Sequence, residues 1–187
     1  MDLQQVLDFL LDSLKILIIA LIIIIPIRTF LFQPFVVKGS SMEPNYHSGD
    51  YLIIDELSYK LREPQRGEVI VFKYPLNPVN KYIKRIIALP GEKIEIIDGS
   101  IYITKNADKF TVEEEIYLSS ENLDQWKINN NMGELILKEN EYFVMGDNRN
   151  YSSDSRKWGI VPKENITGRT MFRFSPTELL INTASAN

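Results

Sequence analysis

Residues 16–27 read ILIIALIIIIPI, an uncharged run bounded by Lys15 and Arg28. As a helix these twelve residues would rise only ~18 Å, short of a ~30 Å hydrocarbon core. The flanks lengthen it. Leu14 before the run, and Phe30, Leu31 and Phe32 after it, extend the apolar stretch to roughly 20 residues. Lys15 and Arg28 can reach opposite headgroup layers, and Pro26 kinks a spanning helix without preventing insertion. A removable signal peptide needs a basic start. Residues 1–14 instead carry Asp2, Asp8 and Asp12 and no Lys or Arg, and no small-x-small site follows the run. The expectation is an anchor over residues 1–33, with a transmembrane helix at about 13–32. Lys15 on one side and Arg28 and Lys38 on the other leave its orientation open.

Beyond residue 34 the period changes from helix to strand. YLII (51–54), EVIVF (68–72), YIKRII (82–87) and KIEII (93–97) are rich in β-branched and aromatic residues. Asp98-Gly99 before IYI (101–103) predicts a hairpin. LIL (135–137), YFVM (142–145) and TMFRF (170–174) add strands, with Gly67, Pro90-Gly91 and Gly146 as punctuation. A short helix is expected only near Leu57 to Leu61. The fold class is therefore mainly β, one domain over 34–187, with a polar excursion or small cap at about 104–133.

Composition removes several function classes. The net charge of -4 carries no dominant basic patch, which argues against nucleic acid. With no cysteine and one histidine, His47, neither a thiolate metal site nor a multi-histidine cluster can form. No cofactor motif is present.

Ser41, in the turn Lys38-Gly39-Ser40-Ser41-Met42-Glu43-Pro44, is the candidate nucleophile, and a serine hydroxyl needs a neighbouring base. His47 lies in a polar turn six residues on and suits a surface loop better than a triad. A lysine serves instead if burial makes it neutral. Period two puts Tyr82, Lys84, Ile86 and Ala88 on one face, giving Lys84 apolar company. A strand lysine is ordinarily a snorkelling surface residue, and the pattern alone leaves that reading open. The stretch from Gly146 to Gly159 is dense in hydrogen-bonding side chains. It reads either as a loop laced by Asp and Asn turns or as an orienting shell.

Four stretches in order resemble the box motifs of type I signal peptidases: Ser41-Met42-x-Pro44; Arg66-Gly67-Glu68-Val69; Lys84-Arg85 with Leu89-Pro90-Gly91-Glu92; and Gly146-Asp147-Asn148-Arg149 with Ser152-x-Asp154-Ser155-Arg156-x-Trp158-Gly159. The resemblance implies a membrane-anchored serine endopeptidase, single-pass in the cell membrane. Its catalytic domain would lie on the extracytoplasmic face, where it removes signal peptides from preproteins after Ala-x-Ala sites. Its partners would be those signal peptides and membrane lipid. Carried over, Ser41 is the nucleophile and Lys84 the base, Tyr82 and Ser152 orient the lysine, and Asp154 and Arg156 form a supporting ion pair. Phe35, Val37, Met42, Leu52 and Ile83 match substrate-pocket positions, and the Ser41 N–H would donate to the oxyanion. Gly39 stands where some members have a serine as second oxyanion donor. Ala88 and Asn45 also depart from the usual residues. The repressor peptidases share this chemistry but would carry an N-terminal DNA-binding helix pair. A tethered β module that binds without cutting is the remaining rival. Ala184-x-Ala186, near the end of the chain, mimics the expected cleavage preference.

Overall fold

Strand β4, Asn77–Ala88, is the longest of eleven strands in the computed structural model, which describes residues 3–26, 33–113, 118 and 131–176. Helix α1, Leu3–Pro26, precedes the strands. Then follow β1 Gln33–Val36, β2 Tyr51–Asp55, α2 Ser58–Leu61, β3 Val69–Tyr74, β4, β5 Lys93–Ile97 and β6 Ser100–Lys105. The chain continues with β7 Asp108–Thr111, β8 Met132–Ile136, β9 Glu141–Met145, α3 Ser155–Trp158, β10 Val161–Pro162 and β11 Ile166–Phe174, with a 3-10 turn at Lys163–Asn165. The strands form two antiparallel sheets, one of seven in the order β1-β2-β11-β3-β4-β9-β10 and one of four in the order β7-β6-β5-β8.

The mainly β expectation holds, and the hairpin at Asp98-Gly99 joins β5 to β6 with both residues at positive φ, 48° and 73°. That is the backbone a two-residue turn of the primed type needs. The region 104–133 is not only a polar excursion, since β7 and the start of β8 belong to the four-stranded sheet. Tyr102, Ile103 and Thr104 on β6 pair with Thr111, Phe110 and Lys109. Residues 114–117 and 119–130 lie outside the described residues, as do 27–32 and the Ala184-x-Ala186 tail.

Helix α1 starts about ten residues before the expected span, because Val6, Leu7, Leu10, Leu11 and Leu14 repeat at helical spacing. Asp8 and Asp12 lie in its first half, and Lys15, just past the midpoint, pairs with Asp12 at 3.0 Å. Among the described residues no helix is long and apolar enough to cross a membrane. The part of the expected span beyond Pro26 lies outside them.

Strand β4 changes environment along its length. Residues up to Lys81 are exposed, Tyr82 is half-buried, and from Ile83 onward all but Arg85 are buried. Ile83 joins Val37, Met42, Leu52, Ile54, Val69 and Val71 in one apolar cluster. Ile86 joins Ile70, Phe72, Tyr142 and Val144 in another, with Tyr82 packed at its edge. The register against β9 shifts between Ile86 and Ala88. Ala88 consequently leaves the face of Tyr82 and Ile86 and packs with Ile87 against Ile94, Ile103 and Phe143 in the core of the second sheet. The single-face assignment for Ala88 is thus corrected by a bulge, which re-aims side chains on a strand. Arg66 and buried Glu92 tie the end of β4 to the second sheet, at 2.8 and 2.7 Å.

Close packing between β11 and β2 rests on Gly168. A Cβ there would fall 2.5 Å from the Asp55 carbonyl oxygen and 2.8 Å from Ile54 Cγ2. Gly168→Ala should therefore destabilise the β domain by ~1–3 kcal/mol through overpacking. Denaturant unfolding followed by tryptophan fluorescence checks this. An unchanged midpoint would mean that the two strands separate without penalty.

Candidate active site

The Ser41 turn follows β1 and is shaped by its backbone. Val37 N–H donates to the Asp50 carbonyl, and Gly49 N–H to the Val37 carbonyl, each at 2.9 Å. Gly39 sits at φ 89°, where a Cβ is strained. Tyr46 N–H closes back on the Met42 carbonyl at 2.9 Å. The turn is then braced from β11. Tyr46 and Thr170 hydroxyls meet at 3.0 Å, and Arg173 donates to the Asn45 carbonyl.

Lys84 meets this turn from β4. Its Nζ donates to Ser41 Oγ at 2.7 Å and to the Ile83 carbonyl at 2.8 Å, and the residue is only 4% exposed. Burial lowers its pKa from the ordinary lysine value to about 8. Asp154 and Asp147 pull the other way, while Arg156 adds to the lowering. An ammonium donates to the serine in this contact. The neutral amine, once formed, can accept the serine proton across the same distance. His47 makes no such approach: its backbone N–H donates to Asp50 Oδ2 at 2.8 Å.

The expected companions of Lys84 stand nearby with different contacts. Nζ lies 5.7 Å from the centroid of the Tyr82 ring, so Tyr82 meets it with its face. Ser152 is buried beside Asp154, whose carboxyl it helps to hold low, rather than hydrogen-bonded to Lys84, whose Nζ donates to Ser41 and Ile83. Asp154 and Arg156 pair as expected, with Arg156 Nε and Nη2 each donating at 2.8 Å. Burial pushes the Asp154 carboxyl up. The Arg156 guanidinium and a 3.0 Å bond from Gly146 N–H more than offset it and hold the pKa below the usual range.

A second brace carries no role in the sequence reading. Arg85, next to the lysine, donates from Nε and Nη2 to buried Asp147 at 2.8 and 2.6 Å. Asn45 Nδ2 reaches the same carboxylate at 2.8 Å. Asn148 N–H donates to the Ser41 carbonyl at 3.1 Å, and its side chain to the Ser40 carbonyl at 3.1 Å. Gly146 lies beneath: a Cβ on it would fall 2.3 Å from both the Ser41 carbonyl and Ser152 Oγ. The signal was the adjacency of Arg85 to Lys84 and of Asp147 to Gly146. Their pairing needed the fold.

A cleft of about 640 Å³ opens beside Ser41 and Lys84. Phe35 and Val36 line one wall and the β4 stretch 79–84 another. Of the expected pocket residues, Phe35 and Ile83 line it. Val37, Met42 and Leu52 lie behind them as fully buried packing. Among the described residues no cluster of metal-ligating side chains occurs.

The family model for signal peptidase, peptidase S26, matches residues 10–175. A probable signal peptidase I-2 of Synechocystis sp. is 36% identical over 171 residues, covering 87% of this chain and 72% of that protein. Signal peptidase I of Bacillus licheniformis is 35% identical over 170 residues, covering 88% of each chain. The crystal structure of a signal peptidase I from Enterococcus faecalis V583 is similar with a TM-score of 0.46 and 29% identity, covering 59% of this chain and 98% of that one. The chain belongs to the signal peptidase family, peptidase S26, and is a hydrolase of that family.

Proposed function

We propose that this chain cleaves signal peptides from preproteins after small-x-small sites by a Ser41–Lys84 dyad, from an anchored position at the extracytoplasmic membrane face. The observation that carries the dyad is the 2.7 Å contact between Lys84 Nζ and Ser41 Oγ at a buried lysine. The neutral amine takes the Ser41 proton as Oγ attacks the scissile carbonyl. The tetrahedral oxyanion faces the Ser41 N–H. Its collapse breaks the C–N bond, and the Lys84 ammonium returns the proton to the leaving amine. Water, deprotonated by Lys84, then hydrolyses the acyl-Ser41 ester. Tyr82 limits where the amine can sit, while the Asp154–Arg156 pair and Ser152 back it from behind. Phe35 and Ile83 suit small side chains at the first and third residues before the cut. The buried Val37, Met42 and Leu52 keep that wall in place.

Anchoring is supported by α1 itself. Leu10, Leu11, Leu14, Leu17 and Ile18, which face several directions around it, are all exposed, as are Ile16, Ile19 and Ile22. From Ile16 to Ile22 the helix carries no polar side chain, and a stretch apolar all round is one that lipid or protein covers. The apolar sequence continues past Pro26 to Phe32.

A lysine base dictates the pH response. With Lys84 near pKa 8, kcat/KM should rise through about pH 8 as the amine deprotonates. Lys84→Arg and Ser41→Ala should each lose at least ~100-fold, because a guanidinium stays protonated and alanine has no nucleophile. His47→Ala should change neither the rate nor the acidic limb. Near-normal turnover by Lys84→Arg, assayed on a detergent-solubilised preprotein, would end the dyad.

The same lysine opposes folding. Unfolded, it titrates at ~10.4; folded, at about 8. Between those values the unfolded chain holds a proton that the folded chain has released. Stability therefore climbs with pH across that window, and the full penalty stands below about pH 8. Lys84→Met should be more stable than wild type at pH 7 by on the order of 1–3 kcal/mol. The two should converge above about pH 10. Equal unfolding midpoints at pH 7 would show that Lys84 carries no desolvation penalty.

Removing residues 1–32 should leave cleavage of a short soluble peptide within about threefold while membrane-inserted preprotein is cut far more slowly, since only co-localisation is lost. Loss of activity on both substrates would make the N-terminal segment part of the site.

A further inference from the structure

The tip of the β3–β4 hairpin is apolar, exposed and unused by the chemistry above. It reads Pro75-Leu76-Asn77-Pro78-Val79, with Leu76 70% and Val79 90% exposed. A loop tip is ordinarily polar, and two large apolar side chains in open solvent call for a partner. The hairpin is also stiff. Tyr74 stacks on Tyr82 with ring centroids 4.6 Å apart, and Trp158 meets Tyr74 edge-on at 5.5 Å. Such aromatic pairs add to the burial they provide and hold the tip in one orientation.

Its place relative to the cleft identifies the partner. Val79 lines the same cleft as Ser41 and Lys84. Both walls, β1 and β4, run toward the Ser41 turn in chain direction. A leader peptide lying extended between them, with its last residue at Ser41, runs parallel to both. On β4, Lys81 pairs with Lys73 and Asn77 with the next residue, Tyr74, so Pro78, Val79 and Asn80 form a bulge at the outer end of the cleft, beyond the regular stretch from Lys81 to Ile83. On the leader, the first, third and fifth residues before the scissile bond share a face. With the first beside Ile83 and the third beside Lys81, the fifth, ~13 Å from the first, is the next on that face and reaches the bulge that carries Val79. Residues further from the bond then reach Leu76.

We propose that Val79, extended by Leu76, is a specificity contact for an apolar side chain five residues before the scissile bond. The inference rests on the Ser41–Lys84 reading of the cleft. It adds a requirement that small side chains at the first and third positions do not supply. The contact is made in the ground state and far from the reacting atoms, so it acts on KM rather than on kcat.

The test uses the full chain in detergent micelles and two peptides of equal length. Both carry Ala at the first and third positions before the bond, and they differ only in Leu or Ser at the fifth. Wild type should favour the Leu peptide by about fivefold to tenfold, through KM. Val79→Ser should bring that ratio to about one by raising KM for the Leu peptide, and Val79→Leu should keep the preference. A ratio that survives Val79→Ser overturns the contact, as does a wild-type ratio of one. A defect of Val79→Ser confined to lipid vesicles and equal for both peptides also overturns it, by assigning the tip to the bilayer. Cleavage of neither peptide at the Ala site would overturn the dyad reading itself, and this inference with it.

Discussion

Removing the amine of Lys84 from water is the interaction on which the rest of the site depends. A lysine at its ordinary pKa of ~10.4 is almost wholly charged at neutral pH and cannot take a proton from serine. Apolar packing on either side of it, Ile83 in one cluster and Ile86 in another, supplies the desolvation. Two carboxylates, Asp154 and Asp147, stand close enough to oppose it. Each is committed to an arginine, at 2.8 Å from Arg156 and 2.6 Å from Arg85. Pairing spends most of the negative field locally, so burial wins and the lysine stays low.

Those two ion pairs also hold the backbone. Asp154 accepts from Gly146 N–H, and Asp147 binds the side chain of Asn45 in the Ser41 turn. Asn148, between them in sequence, clips the carbonyls of Ser40 and Ser41. One loop thus fixes both the position of the hydroxyl and the electrostatics of the amine. Gly146 belongs to the same arrangement, because any side chain there would collide with the Ser41 carbonyl. Loop and turn approach to hydrogen-bond distance only because that position has no Cβ. Asn45, which departs from the family's usual residue, keeps its place in the network by reaching Asp147.

Much of this was legible in the sequence, for definable reasons. Strand period exposed β2, β3, β5 and β9, and Asp98-Gly99 gave its hairpin, because local backbone preference and burial agree there. Ser41 and Lys84 were legible as a pair only through the resemblance, since 43 residues separate them. The bulge that turns Ala88 away from Ile86 was not legible, because it arises from pairing with β9 rather than from β4 itself. Strand β7, Asp108–Thr111, escaped because its four residues are all exposed and show no apolar alternation. The early start of α1 was masked by Asp8 and Asp12, which look like the end of an anchor but fit on the polar positions of a longer helix. Met42 was placed in the substrate pocket, and geometry puts it one layer behind the wall.

Strand β4 explains why so many functions share one short segment. Its exposed start carries Val79 at the mouth of the cleft, its middle carries Ile83 on the pocket wall and Lys84 on Ser41, and Arg85 anchors the loop that clips the turn. Beyond them Ile86 to Ala88 are fully buried between the sheets. A strand spaces its side chains at ~3.3 Å along a straight line, so a bound extended peptide keeps the same spacing beside it. Any shift of β4 along its neighbours would therefore move the lysine and the wall together and leave their separation intact. The buried end resists that shift, because Ile86 and Ala88 pair with different residues of β9 on either side of a bulge. Register is set in the core, and the chemistry and the substrate wall inherit it.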